Sequence, residues 1–285
     1  MAVTNGWGQA AVNNTNGYGQ GAKNSTTNWG AIQSISAFGE TNITGSGGEV
    51  PFTNTKSILL DGVDDFVTMG DVLATSNTGS DAFSISCWYK TSQQGTQMFV
   101  ARFLQGTPFS GYGLYMTGNN MLTFFLGSFS GSAYILLRSA NSSTHSDGNW
   151  HHLAVTYDGS RDASGVTMYF DNSVKSLNTI VNNQPNNINA QSPDFMLGRR
   201  GTSSTNALGL NGSLDEVAYF TSELSASDIS SIYNGGVPND ISSLNPVGWW
   251  RCGDGDTSPT LTDNGSGGNN GTMTNFSTFQ TDVPE

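Results

Sequence analysis

The acidic residues are the groups in this chain whose spacing best suits chemistry. Asp61-Gly-Val-Asp-Asp65 puts three carboxylates on one short turn. Hard oxygen donors of that kind suit calcium; the competing reading is a solvated turn whose aspartates cap backbone amides. Asp254-Gly-Asp256 is a second acidic turn. Asp215 and Glu216 are adjacent, so on a regular strand they point to opposite faces and cannot act as a pair. Hydrolysis of a glycoside needs two carboxylates facing each other across a cleft. Glutamate occurs only at Glu40, Glu49, Glu216, Glu223 and Glu285, which leaves little material for such a pair. His151 and His152 also alternate in direction; one could be a ligand or base, and packing is the plainer reading. No nucleophile elbow, Ser/Cys-His-Asp arrangement or phosphate loop is visible. Cys87 and Cys252 are far apart and lack metal-ligand spacing, so two buried free thiols are expected, with a disulfide as the alternative.

Composition narrows the partners. Only 11% of the 285 residues are charged, and the net charge is −12. The ten basic residues are scattered, with Arg199-Arg200 the only basic pair, so nucleic acid is not expected as a partner. Solubility rests on Asn, Ser, Thr and Gly. No apolar run is long enough to span a membrane. The start, Met1-Ala-Val-Thr-Asn, shows no basic region followed by an apolar one, so no signal peptide is read. A surface-type composition without a secretion signal leads us to expect an assembled particle, made in a cytoplasm and released by lysis.

The elements that must position these groups are strands. Phe83, Ile85, Cys87 and Tyr89 alternate onto one face, with Trp88 on the other. Leu214, Val217 and Tyr219 form the buried face of a later strand in which Asp215 and Glu216 shift the phase. Ser225-Ala-Ser-Asp228 then reads as a helix start with a capping box, and Asn234-Gly235 as its stop. Strands are also expected over Met98–Phe103, Gly113–Thr117, Met121–Leu126 and Tyr134–Arg138. Short strands at close intervals indicate an all-β antiparallel sandwich.

Four stretches carry a family resemblance. Leu59-Leu-Asp-Gly-Val-Asp-Asp-Phe-Val67, Asn149-Trp-His-His-Leu-Ala-Val-Thr-Tyr-Asp-Gly159, Met168-Tyr-Phe-Asp-Asn172 and Gly212-Ser-Leu-Asp-Glu-Val217 with Leu224-Ser…Asp228-Ile…Ile232-Tyr233 resemble the laminin-G-like (concanavalin A-like) jelly roll. Asn172 stands where the family usually has glycine. The resemblance covers about residues 56 to 236. It implies a sandwich with one short helix, glycan or protein recognition by loops at the rim, and a structural calcium near the junction of opening and closing strands. On that basis Asp61, Asp64, Asp65 and Asp215 are the expected calcium ligands. Phe109 and Tyr112 around Gly111, with Arg199 and Arg200, are the expected ligand-binding residues, burial of the two rings being the alternative. The motif holding His151 and His152 also occurs in non-catalytic members, which favours packing. The Pro246–Asp254 and Leu261–Met273 stretches resemble a segment that opens the domain in many members; here they supply edge strands to the same sandwich, or begin a second domain.

Residues 1–50 read as a separate arm, and 51–285 as the sandwich with an edge segment at 237–285. Trp7, Tyr18 and Trp29 recur every 11 residues, each followed by glycine. The glycines make a helix costly. The repeat resembles Gly-Trp-Gly-Gln repeats of bacteriophage virion proteins, which implies attachment to other virion proteins or sister subunits, and hence an oligomer. The expected function is a non-enzymatic virion protein, a fibre or tail appendage displaying a domain that contacts host glycan. A capsid decoration protein, a secreted carbohydrate-binding module or adhesin fragment, and a glycosidase of the same fold are the alternatives.

Overall fold

Period-two alternation decides which face of each strand is buried. In β3 (Phe83–Lys90), Phe83, Ile85, Cys87 and Tyr89 enter the interior between two sheets. Trp88 turns the other way and stacks on Tyr233, with ring centroids 5.7 Å apart. A computed structural model describes residues 52–104, 110–128, 132–189, 192–201 and 208–285. Trp7, Tyr18, Trp29 and Phe109 therefore lie outside the described residues. Thr53–Glu285 form one compact unit.

The other strands are β1 (Ser57–Asp61), β2 (Phe66–Gly70), β4 (Gln97–Leu104), β5 (Ser110–Met116), β6 (Leu122–Ser128), β7 (Ala133–Ser139) and β8 (Trp150–Tyr157). They continue with β9 (Val166–Phe170), β10 (Ser173–Val174), β11 (Leu177–Asn182), β12 (Phe195–Leu197) and β13 (Asn211–Phe220). After helix α1 (Ala226–Tyr233) come β14 (Gly248–Trp250), β15 (Thr260–Leu261), β16 (Gly271–Thr274) and β17 (Phe279–Gln280). One sheet runs β10-β9-β8-β3-β13-β1-β17, with β14 also on β13; the other runs β11-β7-β6-β5-β4-β12-β2-β16-β15. All pairings are antiparallel, and the two sheets pack face to face as a concanavalin A-like sandwich. Among the described residues no helix is long and apolar enough to cross a membrane.

Rings from both sheets fill the interior. Phe83 stacks on Tyr219 at 5.7 Å and meets Tyr112 at 5.0 Å and Tyr157 at 5.6 Å. The buried hydroxyls keep partners: Tyr112 donates to the Leu73 carbonyl at 2.6 Å, and Tyr157 to that of Gly79 at 2.7 Å. Truncating such a ring to alanine costs about 3–5 kcal/mol. Cys87 and Cys252 are free and fully buried. Burial pushes the Cys87 thiol up to about 12.

Local chemistry explains the connections. The β9–β10 turn places Asp171 and Asn172 at φ 48° and 61°. Two consecutive left-handed residues match the twist of a tight hairpin, and asparagine tolerates that conformation where the family uses glycine. Helix α1 starts at Ser225, whose Oγ accepts from the Asp228 amide at 3.2 Å while Asp228 accepts from the Ser225 amide at 2.9 Å. It stops at Asn234, in the left-handed region.

Strand β13 organises the rest. It pairs with β3 along one edge. Its other edge meets β1 from Asn211 to Leu214, then β14 from Val217 to Tyr219. The handover is a bulge at Asp215–Glu216, where Glu216 has φ 45°. The extra residue keeps Leu214, Val217 and Tyr219 in the core. It also overturns the expected separation of the two acids. Regular alternation is interrupted, and both carboxylates sit in one buried polar node. Glu216 Oε2 accepts from Trp249 Nε1 at 2.6 Å, and Oε1 from Arg251 Nε at 3.0 Å. Asp215 Oδ2 accepts from Asn54 Nδ2 at 2.8 Å. The C-terminal segment is thereby drawn in, adding β14 to β13, β16 to β2 and β17 to β1.

Burial holds both acids above the usual carboxylate range. Loss of hydration and the charge of Glu216 raise Asp215 well above it. Loss of hydration raises Glu216 to about 7, with Arg251 pulling it back in part. His152 is fully buried, and loss of hydration lowers it to about 4. The signs are opposite. A carboxyl whose folded pKa is raised stabilises the fold below its unfolded pKa, near 4.5 for Glu216, and that contribution is lost as pH rises through about 7. The neutral His152 stabilises above about 6.5, and its contribution is lost as pH falls through about 4. Thermal unfolding should therefore show highest stability in mildly acidic buffer, with Tm falling by several degrees as pH rises from about 5 to about 8. Glu216→Gln should lower Tm in acid and flatten the alkaline decline. An unchanged decline in that variant would assign it to other groups.

Candidate functional site

The acidic turn between β1 and β2 comes first, because its spacing first suggested a ligand. Asp61, Asp64 and Asp65 each place a carboxylate oxygen within 4.8 Å of the others. Part of that donor set is already turned to the backbone. Asp61 Oδ1 accepts from the Val63 amide at 2.7 Å and from that of Asp64 at 3.3 Å. Asp65 Oδ2 accepts from the Asp61 amide at 3.0 Å. Loss of hydration raises Asp65, with help from its two acidic neighbours. Asp215 does not join this cluster. Antiparallel register sets Asp61 opposite Asn211 and Ile58 opposite Leu214, so Asp215 lies at the far end of β1. Its partner there is Asn54.

The histidines face opposite sides of β8, as alternation requires. His152 is buried, with Nε2 2.8 Å from Ser86 Oγ and its ring 5.1 Å from Trp88. His151 lies between two carboxylates, Nδ1 at 2.8 Å from Asp171 and Nε2 at 3.1 Å from Asp147. Burial alone lowers its pKa, but the bonds to Asp171 and Asp147 outweigh this and raise it. Asp171 also accepts from the His152 amide at 2.9 Å. The trio joins β8 to the β9–β10 turn.

The expected ligand-binding residues fall elsewhere. Tyr112 is not on a rim loop; strand β5 begins at Ser110, and Tyr112 is in phase with Leu114 and Met116 in the core. Gly111 and Gly113 on either side hide this alternation in the sequence. Arg199 is only 2% exposed, its guanidinium 5.3 Å from the Phe66 ring centre. Arg200 is half-buried over Phe103 at 5.4 Å, and loss of hydration lowers its pKa. Both arginines pack on aromatic rings of the second sheet, a use that exposes the apolar stem as little as possible.

Two of the open depressions among the described residues bear on ligand binding. One, of about 420 Å³, lies between the β9–β10 hairpin and β11, with Asp162, Lys175, Val174 and Asn182 in its walls. The other, of about 570 Å³, lies at the rim among three loops: Gln94, the β5–β6 turn Gly118–Met121, and Asn141–Ser143. Its polar walls are amides and hydroxyls, with no charged residue. Sequence reading passed over these residues because Asn, Gln and Ser are common throughout the chain; Asn119-Asn120 reads only as a turn.

Comparison with known proteins agrees with this architecture. Residues 61–230 match the concanavalin A-like lectin/glucanases superfamily. No curated protein matches the chain. Among solved structures, one described as a proposed carbohydrate binding protein from Bacteroides ovatus has a TM-score of 0.58 and 16% identity, over 82% of this chain and 62% of that one. The chain thus spans less than two thirds of that protein. The CBM40 of Ruminococcus gnavus IT-sialidase has a TM-score of 0.49 and 13% identity, over 64% of this chain and 99% of that one. At these identities the likeness is one of fold. The family match takes in more than half of the residues, and the chain belongs to the concanavalin A-like lectin/glucanases superfamily.

Proposed function

We propose that this chain is a non-enzymatic glycan-binding domain carried on a bacteriophage appendage, with the N-terminal arm as its attachment. The family contains both binders and hydrolases, so the deployment of acids decides between them. Asp65, Asp215, Glu216 and Asp263 are the buried carboxylates among the described residues, and every one accepts hydrogen bonds from the protein itself. Asp263, for example, accepts from the amides of Trp249 at 2.8 Å, Gly265 at 2.8 Å and Asn269 at 2.7 Å. Asp147 and Asp171 are likewise taken up by His151. A hydrolase would instead present two carboxyls to a cleft about 5 to 9 Å apart. The carbohydrate-binding description of the Bacteroides relative fits the same reading. The virion setting rests on the Trp7, Tyr18 and Trp29 repeat, and it implies virion proteins or sister subunits as partners and lysis as the route of release.

On a glycan array, the intact chain should retain selected oligosaccharides, and prolonged incubation should release no reducing sugar. Release of sugar would replace the binder reading with a hydrolase. For the arm, the solution mass of the intact chain should exceed that of a Trp7→Ala/Tyr18→Ala/Trp29→Ala variant if the repeat assembles subunits into a fibre. Two equal monomeric masses would favour decoration of a capsid or tail surface.

Calcium on the Asp61–Asp65 turn is a further part of this reading. Asp64 and the remaining oxygens of Asp61 and Asp65 suit a hard cation, which would lock the β1–β2 turn. Millimolar calcium should raise Tm by a few degrees over the chelated protein, and Asp64→Asn should abolish the difference. Equal Tm values with and without calcium would leave the aspartates as amide caps alone.

A further inference from the structure

We propose that the 570 Å³ rim depression is the saccharide site, and that it selects uncharged sugars. The inference rests on the glycan-binding reading and adds where the sugar sits and to which class it belongs. The volume lies within the roughly 300–1,000 Å³ of small-molecule sites.

The chemistry of the walls sets the class. Gln94, Asn119, Asn120 and Asn141 contribute amides, and Ser142 and Ser143 hydroxyls. Each such group both donates and accepts, which matches the neighbouring hydroxyls of a sugar ring. No lysine or arginine lines the depression to balance a carboxylate or sulfate, and a net charge of −12 repels an anionic glycan. The depression between β9–β10 and β11 differs, since Asp162 and Lys175 bring charge and Val174 an exposed apolar side chain.

The floor is built and held. The β5–β6 turn is closed by the Thr117 amide on the Met121 carbonyl and the Asn120 amide on that of Thr117, both at 2.9 Å. Asn120 takes the left-handed conformation at φ 53°. His145 supports the turn from the loop before β8, its Nδ1 2.7 Å from the Asn120 carbonyl. Its ring packs edge-on against Phe170 at 4.8 Å. Loss of hydration lowers the His145 pKa, and Nδ1, facing a carbonyl, is the donor. Its Nε2 has no protein partner. Asn120, 8% exposed and part of the wall, has its Oδ1 equally unpartnered, as is Ser146 Oγ in the adjoining turn. These three atoms are closed to solvent and lie beneath the walls, so the groups open to a sugar are the amides of Gln94, Asn119 and Asn141.

The test uses the intact chain on an array of uncharged oligosaccharides ending in glucose, galactose, mannose or N-acetylglucosamine, beside sialylated and sulfated ones. Retention of uncharged glycans is expected. Gln94→Ala/Asn141→Ala, at two exposed positions, should weaken it at least about tenfold with Tm unchanged. Asn120→Asp, which keeps the shape of the turn and replaces an amide donor by a carboxylate, should weaken it as much. Thr179→Ala, in the other depression, should leave it unaltered. Retained binding in both Gln94→Ala/Asn141→Ala and Asn120→Asp would overturn the site while leaving glycan binding intact. Selective retention of sialylated or sulfated glycans would overturn the class. Absence of any glycan binding by the parent chain would overturn the glycan-binding reading and this site together.

Discussion

Glu216, set between Trp249 and Arg251 in the bulge of β13, is the contact through which the sandwich closes. A regular strand offers each neighbour one continuous edge. The bulge lets β13 serve β1 and then β14 on the same side, and it needs a residue at φ 45° in a buried place. That residue carries an acid, and a buried acid requires donors. The donors come from the end of the chain. Arg251 also donates to the Thr53 carbonyl, and Asp254 accepts from the amides of Thr55 at 2.8 Å and Lys56 at 3.2 Å. The first and last segments of the domain therefore meet at one polar node, and residues beyond the 61–230 family match become part of both sheets.

The scarcity of charge in the composition acquires a structural meaning. Charged side chains here connect elements. Arg102, 1% exposed, ties β4 to the segment after β2 through the Val72 carbonyl at 2.8 Å and to Asn189 Oδ1 at 2.7 Å. Lys90 and Trp150 hold Asp282, which fastens the C-terminal strand against β1.

Much of the fold was legible in advance because it is governed by short-range rules. Phe83, Ile85, Cys87 and Tyr89 face the core, Trp88 does not, and α1 begins and ends at Ser225 and Asn234. The shift of phase at Asp215–Glu216 was visible, but its consequence was not, since positive φ at a glutamate brings both acids to one node instead of parting them. Tyr112 takes the buried alternative, and the glycines on both sides of it conceal its strand. Arg199 was misplaced because a basic pair on a loop looks free until the ring of Phe66 is seen beneath it.

The candidate site was less legible than the fold, for a related reason. Strand faces, turns and helix caps depend on residues within a few positions of one another, and these are readable along the chain: an antiparallel sandwich, one capped helix, an acidic β1–β2 turn. Which distant groups meet depends on register and on the choice of edge partners, which emerge with the packed fold. Asp215 was separated from Asp61 by the register of β1 on β13, and Glu216 was joined to Arg251 by the addition of β14. Gln94, Asn120 and Asn141 were gathered at one rim because the β3–β4 and β7–β8 connections, which cross between the sheets, end beside the β5–β6 hairpin turn. Such meetings are settled by packing over the whole domain, and no local pattern of residue types encodes them.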